Sequence, residues 1–463
     1  MKKVKIIKVL QFLIYILPAV LFLSYFPVIS LGATETMNLE LSVPLVWLVV
    51  FDVMAVVAVI KTKKTKVIAG KWYYLFPFFA TLSVFWSVNK LRGALTLGVM
   101  WAVIIAVMAF AILKSEIFDA KFKKNFWKWF FGASLVACAW CWLQCLLDIF
   151  GVAREYTLMC LGCTYRSFGF PHPNGFAIEP QFMGNLLLAP AIVSAYFVVV
   201  GPVDSRHPLQ RRMLFYFLVI TATLFLTFSR GAIYAFVVAM VFLTAFVIVR
   251  EKKAKKMVAG RMLMTWGMVA FSFLFTLNAQ GIMTQISPTD DTYADGVARV
   301  VEQLSLGTIK VRGEKVEKDA EEMSAPALGD EDEASFDGYV PESTDVRVKL
   351  TNAALEEWQS SKKNMLVGVG IGGAGQALYD DGLTESPKEI VQNQYASLLL
   401  ETGLVGVMML AVLAFGFLKW CKKYKSVGMV LTLAVAYGAS LCFFAGLPNA
   451  LHIYLLLPLF CLL

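Results

Sequence analysis

Apolar stretches of about 20 residues recur along almost the whole chain, separated by short polar breaks. A helix of that length crosses roughly 30 Å of hydrocarbon. The pattern predicts about twelve spans, over residues 6–29, 43–60, 72–88, 92–113, 127–150, 181–201, 213–228, 231–250, 261–281, 394–418, 427–447 and 450–463. The first is longer than the apolar core of a cleaved leader, and no small-residue cleavage site follows it, so it reads as a span. One long polar segment, 282–393, interrupts the series. The expected organisation is a membrane domain of about nine spans over 1–281, a loop over 282–393, and about three spans over 394–463. The fold class expected is therefore all-α and polytopic, with one large loop.

That loop has its own pattern. Within TYADGVARVVEQL (292–304), Val297, Val300, Val301 and Leu304 recur at helical spacing and predict a short amphipathic helix. Residues 305–345, with EKVEKDAEE and GDEDEAS, are rich in charge and poor in apolar side chains, which predicts disorder. Residues 346–361 read as a second helix, with Leu350, Ala354 and Trp358 on one face and Arg347 one turn ahead of them. A glycine-rich stretch, LVGVGIGGAGQALYDDG, follows.

Composition and charge sharpen the picture. Hydrophobic residues make up 58% of the chain and charged ones 16%, which excludes an ordinary soluble domain. Of the 42 Lys and Arg, 27 fall at the N-terminus and in alternate loops such as KTKKTK (61–66), REKKAKK (250–256) and KWCKKYK (419–425). The short loops of the opposite side hold Lys90, Arg92, Arg154, Arg166 and Arg230. The positive-inside rule then places both termini in the cytoplasm and the 282–393 loop outside. That loop carries 22 acidic and ten basic residues. The net charge of +9 thus follows from membrane topology and does not imply a nucleic-acid partner.

The candidate chemistry lies on the outer side. Arg230, in LTFSRGAIYAF, stands between two apolar runs, and a charge at that place is expensive unless it serves a purpose. The topology puts it at the outer face, where its charge is tolerable without burial, and Gly231 leaves room for a bulky headgroup. Arg166 and Arg347 are the other outer arginines suited to bidentate contact with phosphate oxygens; snorkelling to the lipid headgroups is the alternative for each. GVGIGG (368–373) fits G-x-G-x-x-G but lacks the strand–helix context of a dinucleotide site, so it reads as a turn. Cys160 and Cys163 form a single C-x-x-C, compatible with a disulfide or with two thiols and not with a structural zinc. Cys138, Cys141 and Cys145 lie one turn apart and read as packing residues. His172 is an outer histidine beside Glu179 and reads as either a loop residue or a general base. Glu401, within QNQYASLLLETGLVG (392–406), needs a partner if buried, and an outer arginine is the obvious one.

Taken together, TFSRGA at the end of a span, Arg347 ahead of an amphipathic helix that runs into LVGVGIGG, and QNQYASLLLETGLVG on re-entry resemble the O-antigen ligase and O-antigen polymerase family of bacterial envelope glycosyltransferases. The resemblance covers residues 70–460. It implies a fold like that of the C-type integral-membrane glycosyltransferases. It also implies an undecaprenyl-diphosphate-linked glycan donor, a glycan or lipid-glycan acceptor, and no metal or other cofactor. Arg230 and Arg347 would hold the diphosphate, and the charge argument adds Arg166 to them. Asn393, Tyr395, Glu401 and Gly403 would support the site. One position departs from the family: Gln392 stands where the family has a histidine, and an amide cannot act as general base. Three readings follow: another group is the base, with Glu179, His172, Asp380, Asp381 and Glu389 as candidates; the reaction needs only positioning and leaving-group stabilisation, with proton loss late; or the chemistry is lost or changed. The competing class is a transporter, either a lipid-glycan flippase or a small-anion carrier, for which Asp52, Asn185 and Glu401 would be the intramembrane polar positions.

Overall fold

The computed structural model describes residues 2–23, 27–33, 38–63, 71–152, 172–177, 179–201, 208–250, 255–286, 292–305, 309, 336–424, 426–445 and 450–463. Arg166, Cys160, Cys163 and most of the segment expected to be disordered lie outside the described residues. The chain divides into two compact units, one of residues Met1–Ala133, Val238–Leu243 and Arg347–Leu463, the other of Ser134–Val237 and Thr244–Val346.

The first unit opens with α1 (Lys2–Phe22), a hairpin of β1 (Pro27–Ala33) and β2 (Asn38–Ser42), and α2 (Val43–Thr62). The hairpin is a departure from the all-α expectation. Its strands pair antiparallel from Pro27 opposite Ser42 to Ala33 opposite Asn38. The first helix consequently ends at Phe22, short of the span drawn to residue 29. Alternation of apolar and polar positions in NLELS favours a strand over a helical turn, and Pro27, which has no N–H to donate, stands at a strand end. Then come α3 (Leu75–Ser83), flanked by two 3₁₀ turns, α4 (Lys90–Ile112), the single turn α5 (Lys114–Ile117) and the start of α6 (Ala120–Ile149). Trp47 on α2 donates from Nε1 to the Leu13 carbonyl at 2.9 Å. Its ring stacks on Phe51, which in turn meets Phe110 of α4 with centroids 5.2 Å apart. A polar tip satisfied by backbone lets tryptophan join an apolar interface without an orphaned donor.

The second unit takes the rest of α6, then α7 (Pro180–Val200), α8 (Pro208–Leu226), most of α9 (Arg230–Arg250), α10 (Lys255–Ile286) and α11 (Tyr293–Leu304). Helix α7 is buried on nearly all sides, so it forms the centre of this unit. The next helix, α12 (Phe336–Gln359), belongs to the second unit up to Val346 and to the first from Arg347. It begins ten residues earlier than the helix expected at 346. The first unit is completed by α13 (Lys362–Val367), α14 (Ala374–Asp380), α15 (Gln394–Cys421), α16 (Val427–Ser440) and α17 (Leu451–Leu462).

Eight described helices are long and apolar enough to cross a membrane: α1, α2, α4, α6, α7, α9, α10 and α15. At the other four expected spans stand α3, α8, α16 and α17, of which α3, α16 and α17 are shorter apolar helices. Large side chains such as Val49 and Val53 on α2, Leu263 and Phe271 on α10, and Met408 and Phe415 on α15 are exposed. An apolar surface so extensive suits hydrocarbon and not water. The described residues make a predominantly α-helical, multi-pass membrane protein with a small hairpin.

Candidate functional site

Arg230 is placed by a short, heavily held turn. Between α8 and α9 stand Thr227, Phe228 and Ser229. So tight a connection drives Phe228 to φ 47°, the left-handed region that a bulky residue rarely enters. Its amide donates to the Phe225 carbonyl at 2.9 Å. Its carbonyl accepts from Gln303 Nε2 of α11 at 2.8 Å. Its ring is buried among Cys145, Ile149, Leu226, Met283 and Val300. Against the other side of the turn lies Gly184 of α7. A Cβ there would stand 2.8 Å from the Ala232 Cβ and 3.0 Å from the Ser229 Cβ, so bare backbone is what permits the approach.

His172 belongs to the same assembly. Its imidazole hydrogen-bonds the backbone of Thr227, and burial pushes its pKa down to about 3. Its loop is fixed to α6 by Gln144, which accepts from the Gly175 amide at 2.9 Å and donates to Asn174 Oδ1 at 3.0 Å. An imidazole so depressed stays neutral and is a weak proton acceptor at pH 7; here it clamps the turn that precedes Arg230. Glu179, half-buried, stands at the start of α7.

Arg230 itself is 7% exposed. The expectation that its charge would be tolerated without burial is corrected: the turn is covered by α7, α11 and the His172 loop. Gly231 is buried in the first turn of α9. One turn further along, Tyr234 lies within electrostatic reach of the guanidinium and donates its hydroxyl to the Leu304 carbonyl. A second buried arginine, Arg299, lies on α11 one turn before Gln303. The apolar periodicity of α11 pointed to Val297, Val300, Val301 and Leu304. The buried residues instead include Gly296, Arg299, Val300 and Gln303, while Val297 and Val301 are half-buried. The rotation follows from Gly296, where a Cβ would meet Thr284 Oγ1 of α10 at 2.5 Å.

In the first unit, Arg347 is tied to the position that departs from the family. Its Nε donates to Gln392 Oε1 at 2.6 Å. Leu350 and Ala354 are buried on α12, and Trp358 packs against the cluster formed by Ala353, Ala354, Val369, Leu378, Val391 and Leu400, as the amphipathic pattern predicted. Val391, the residue before Gln392, is thereby anchored in that cluster. Asn393 caps α15, its Oδ1 accepting from the Tyr395 and Ala396 amides at 3.1 and 3.3 Å. Tyr395 donates its hydroxyl to the Gly438 carbonyl at 2.7 Å.

Glu401 is engaged by the glycine-rich segment. Its carboxylate hydrogen-bonds the backbone of Gly372 and Ala374 and lies within electrostatic reach of Arg92. The sequence asked for an outer arginine as its partner; the structure supplies Arg92 together with two backbone amides. Two residues on, α15 is interrupted at Gly403, with φ 60° and ψ −171°.

Of the other carboxylates proposed as bases, Glu389 is exposed and Asp380 accepts from Gln376 at 2.8 Å. Asp381 is hydrogen-bonded to Glu357, which the sequence did not single out. Burial and the adjacent Asp381 carboxyl push Glu357 up to about 7, although Asn364 Nδ2 donates to it at 2.7 Å. A carboxyl with a raised folded-state pKa contributes stability that is present below its ordinary value near 4.5 and lost as pH rises through about 7. Glu357→Gln keeps a hydrogen-bond donor for Asp381 and removes the ionisation. Its thermal stability should stay level between pH 5 and 8 where the wild type declines. At pH 8 the variant should melt about 2 °C higher, since solvent at the exposed Asp381 limits the effect to on the order of 1 kcal/mol. Melting curves across pH check this, and parallel profiles for the two proteins would refute it.

No curated protein matches the chain. Residues 215–411, the stretch that contains Arg230, Arg347, Gln392 and Glu401, match the family model described as O-antigen ligase. Over that stretch, which is less than half of the chain, the protein is similar to the O-antigen ligase family.

Proposed function

We propose that the protein transfers a glycan from a polyprenyl diphosphate, of the undecaprenyl type, to a hydroxyl of an acceptor glycan at the outer face of the cytoplasmic membrane. The acceptor oxygen attacks the anomeric carbon, and the bond from that carbon to the diphosphate oxygen breaks with its electron pair. The negative charge that develops on the leaving diphosphate is met by guanidinium groups, so the reaction needs no metal. Fixed cations aimed at a developing charge are among the largest contributors to catalysis of this kind.

The observation that carries this reading is Arg230. A buried guanidinium at the first residue of a helix combines a full positive charge with the positive end of the helix dipole. The turn that holds it is fixed from three directions. Arg347 is the second proposed phosphate ligand, and Arg166 the third. The lipid tail would lie along the spans.

Reconstituted protein given an undecaprenyl-diphosphate-linked oligosaccharide and candidate acceptors should form new glycosidic bonds. A ladder of products identifies a polymerase, and one discrete adduct a ligase. Movement of the donor across the bilayer with no new glycosidic bond would refute the reading in favour of a flippase.

A further inference from the structure

Gln392 raises a specific chemical question. It occupies the place where a histidine was expected, it cannot accept a proton at neutral pH, and yet it is held in a defined position. Val391 before it is 2% exposed and packs in the cluster that contains Ala353 and Ala354 of α12. Asn393 after it is fixed as the cap of α15. The amide oxygen that these neighbours position accepts from Arg347 Nε at 2.6 Å, short for a nitrogen–oxygen hydrogen bond and charge-assisted. Arg347 is fixed from its own helix as well, because its carbonyl accepts from Thr351 Oγ1 at 2.8 Å.

We infer that Gln392 is a positioning residue for Arg347: its amide oxygen engages Nε, sets the plane of the guanidinium, and adds no negative charge beside it. This inference rests on the proposed glycan transfer and names a further residue of that site. The choice of glutamine follows from electrostatics. A glutamate would offer the same acceptor but would cancel the charge. A histidine would accept only while neutral, and once protonated it would repel the guanidinium. A glutamine accepts at every pH. The bidentate fork presented to a phosphate is then the Nη1 and Nη2 pair, whose direction is set once Nε is anchored. No proton moves at Gln392 during the transfer; the proton of the acceptor hydroxyl goes to another base or to water.

The test measures binding of undecaprenyl diphosphate to the full-length protein in lipid nanodiscs, with glycan transfer followed in parallel. Gln392→Leu should weaken binding and lower kcat/KM by about 10–100-fold, the range for losing a hydrogen bond to a charged group. Gln392→Glu should lose binding to a similar degree even though its oxygen still reaches Arg347. Gln392→His should bind at pH 8 and lose binding in a step that the adjacent guanidinium moves below the ordinary histidine value of about 6.5, whereas the wild type shows no such step. A purely structural residue would not produce that pH step, and the histidine variant also controls for folding if the leucine variant is unstable. Wild-type binding and turnover in Gln392→Leu would overturn the inference alone. Absence of both binding and transfer in the wild type would overturn the proposed function and this inference with it.

Discussion

Arg230→Ala should lower glycan transfer by about 10²–10³-fold while membrane insertion is retained. The magnitude is that of removing one fixed electrostatic stabiliser of a developing negative charge. The turn itself should survive, because its anchors lie elsewhere: the Phe228 ring in the apolar cluster, the Phe228 carbonyl on Gln303, and the Thr227 backbone on His172. Arg230→Lys is the informative companion. It keeps the charge but gives up the planar fork, so it should recover part of the lost rate and fall short of the wild type. Steady-state transfer with a lipid-linked donor, together with melting curves of the same preparations, checks this. An alanine variant within about twofold of wild-type turnover would remove Arg230 from the reaction and leave it a structural cation.

What the sequence revealed of this arrangement, and what it concealed, divides along physical lines. Hydropathy over windows of 20 residues placed the long helices, because a lipid environment imposes a composition that is visible locally. The face of α12 was legible for the same reason: Leu350, Ala354 and Trp358 repeat at helical spacing and do pack on the adjoining lobe. Contacts between distant segments were not legible. Gln303 reaches the Phe228 carbonyl from 75 residues away, and nothing in the periodicity of α11 signals it. The close approach of Gly184 to Ser229 and Ala232 likewise depends on how two helices meet, which a lone glycine in an apolar run does not encode. The Glu357–Asp381 pair escaped notice because the two carboxyls are 24 positions apart and come together only when α12 and α14 fold against each other. A glutamine at 392 cannot act as a general base. The structure adds that the glutamine there has a partner, and that the partner is Arg347.

Gly370→Ala should be strongly destabilising. Gly370 has φ 93°, and a Cβ built there would lie 2.3 Å from the Ser87 Cα and 2.7 Å from the Ser87 amide nitrogen. Left-handed strain of about 1–2 kcal/mol adds to an overpacking cost of about 1–3 kcal/mol, and the collision is with backbone that cannot rotate away. The sum is a large share of the roughly 5–15 kcal/mol that separates a folded domain from its unfolded state. Gly382→Ala is the control, because Gly382 has φ 69° with nothing within 4 Å of its Cβ position; it isolates the strain and should cost about 1–2 kcal/mol. Thermal unfolding of both variants in the same detergent separates the two contributions, and equal losses would show that the collision with Ser87 is relieved. The outcome also bears on why a G-x-G-x-x-G string is here at all. In a phosphate cradle the amides of such a loop point at the ligand. In this protein the Val369 amide donates to the Leu400 carbonyl at 3.0 Å, that of Gly370 to the Glu401 carbonyl at 3.0 Å, and that of Ile371 to Ser83 Oγ at 3.2 Å, while the Glu401 carboxylate engages Gly372. Each of these amides is engaged within the protein, so the glycines serve to seat the segment between the interrupted α15 and the residues that join α3 to α4, and a Cβ at position 370 would force that seat open.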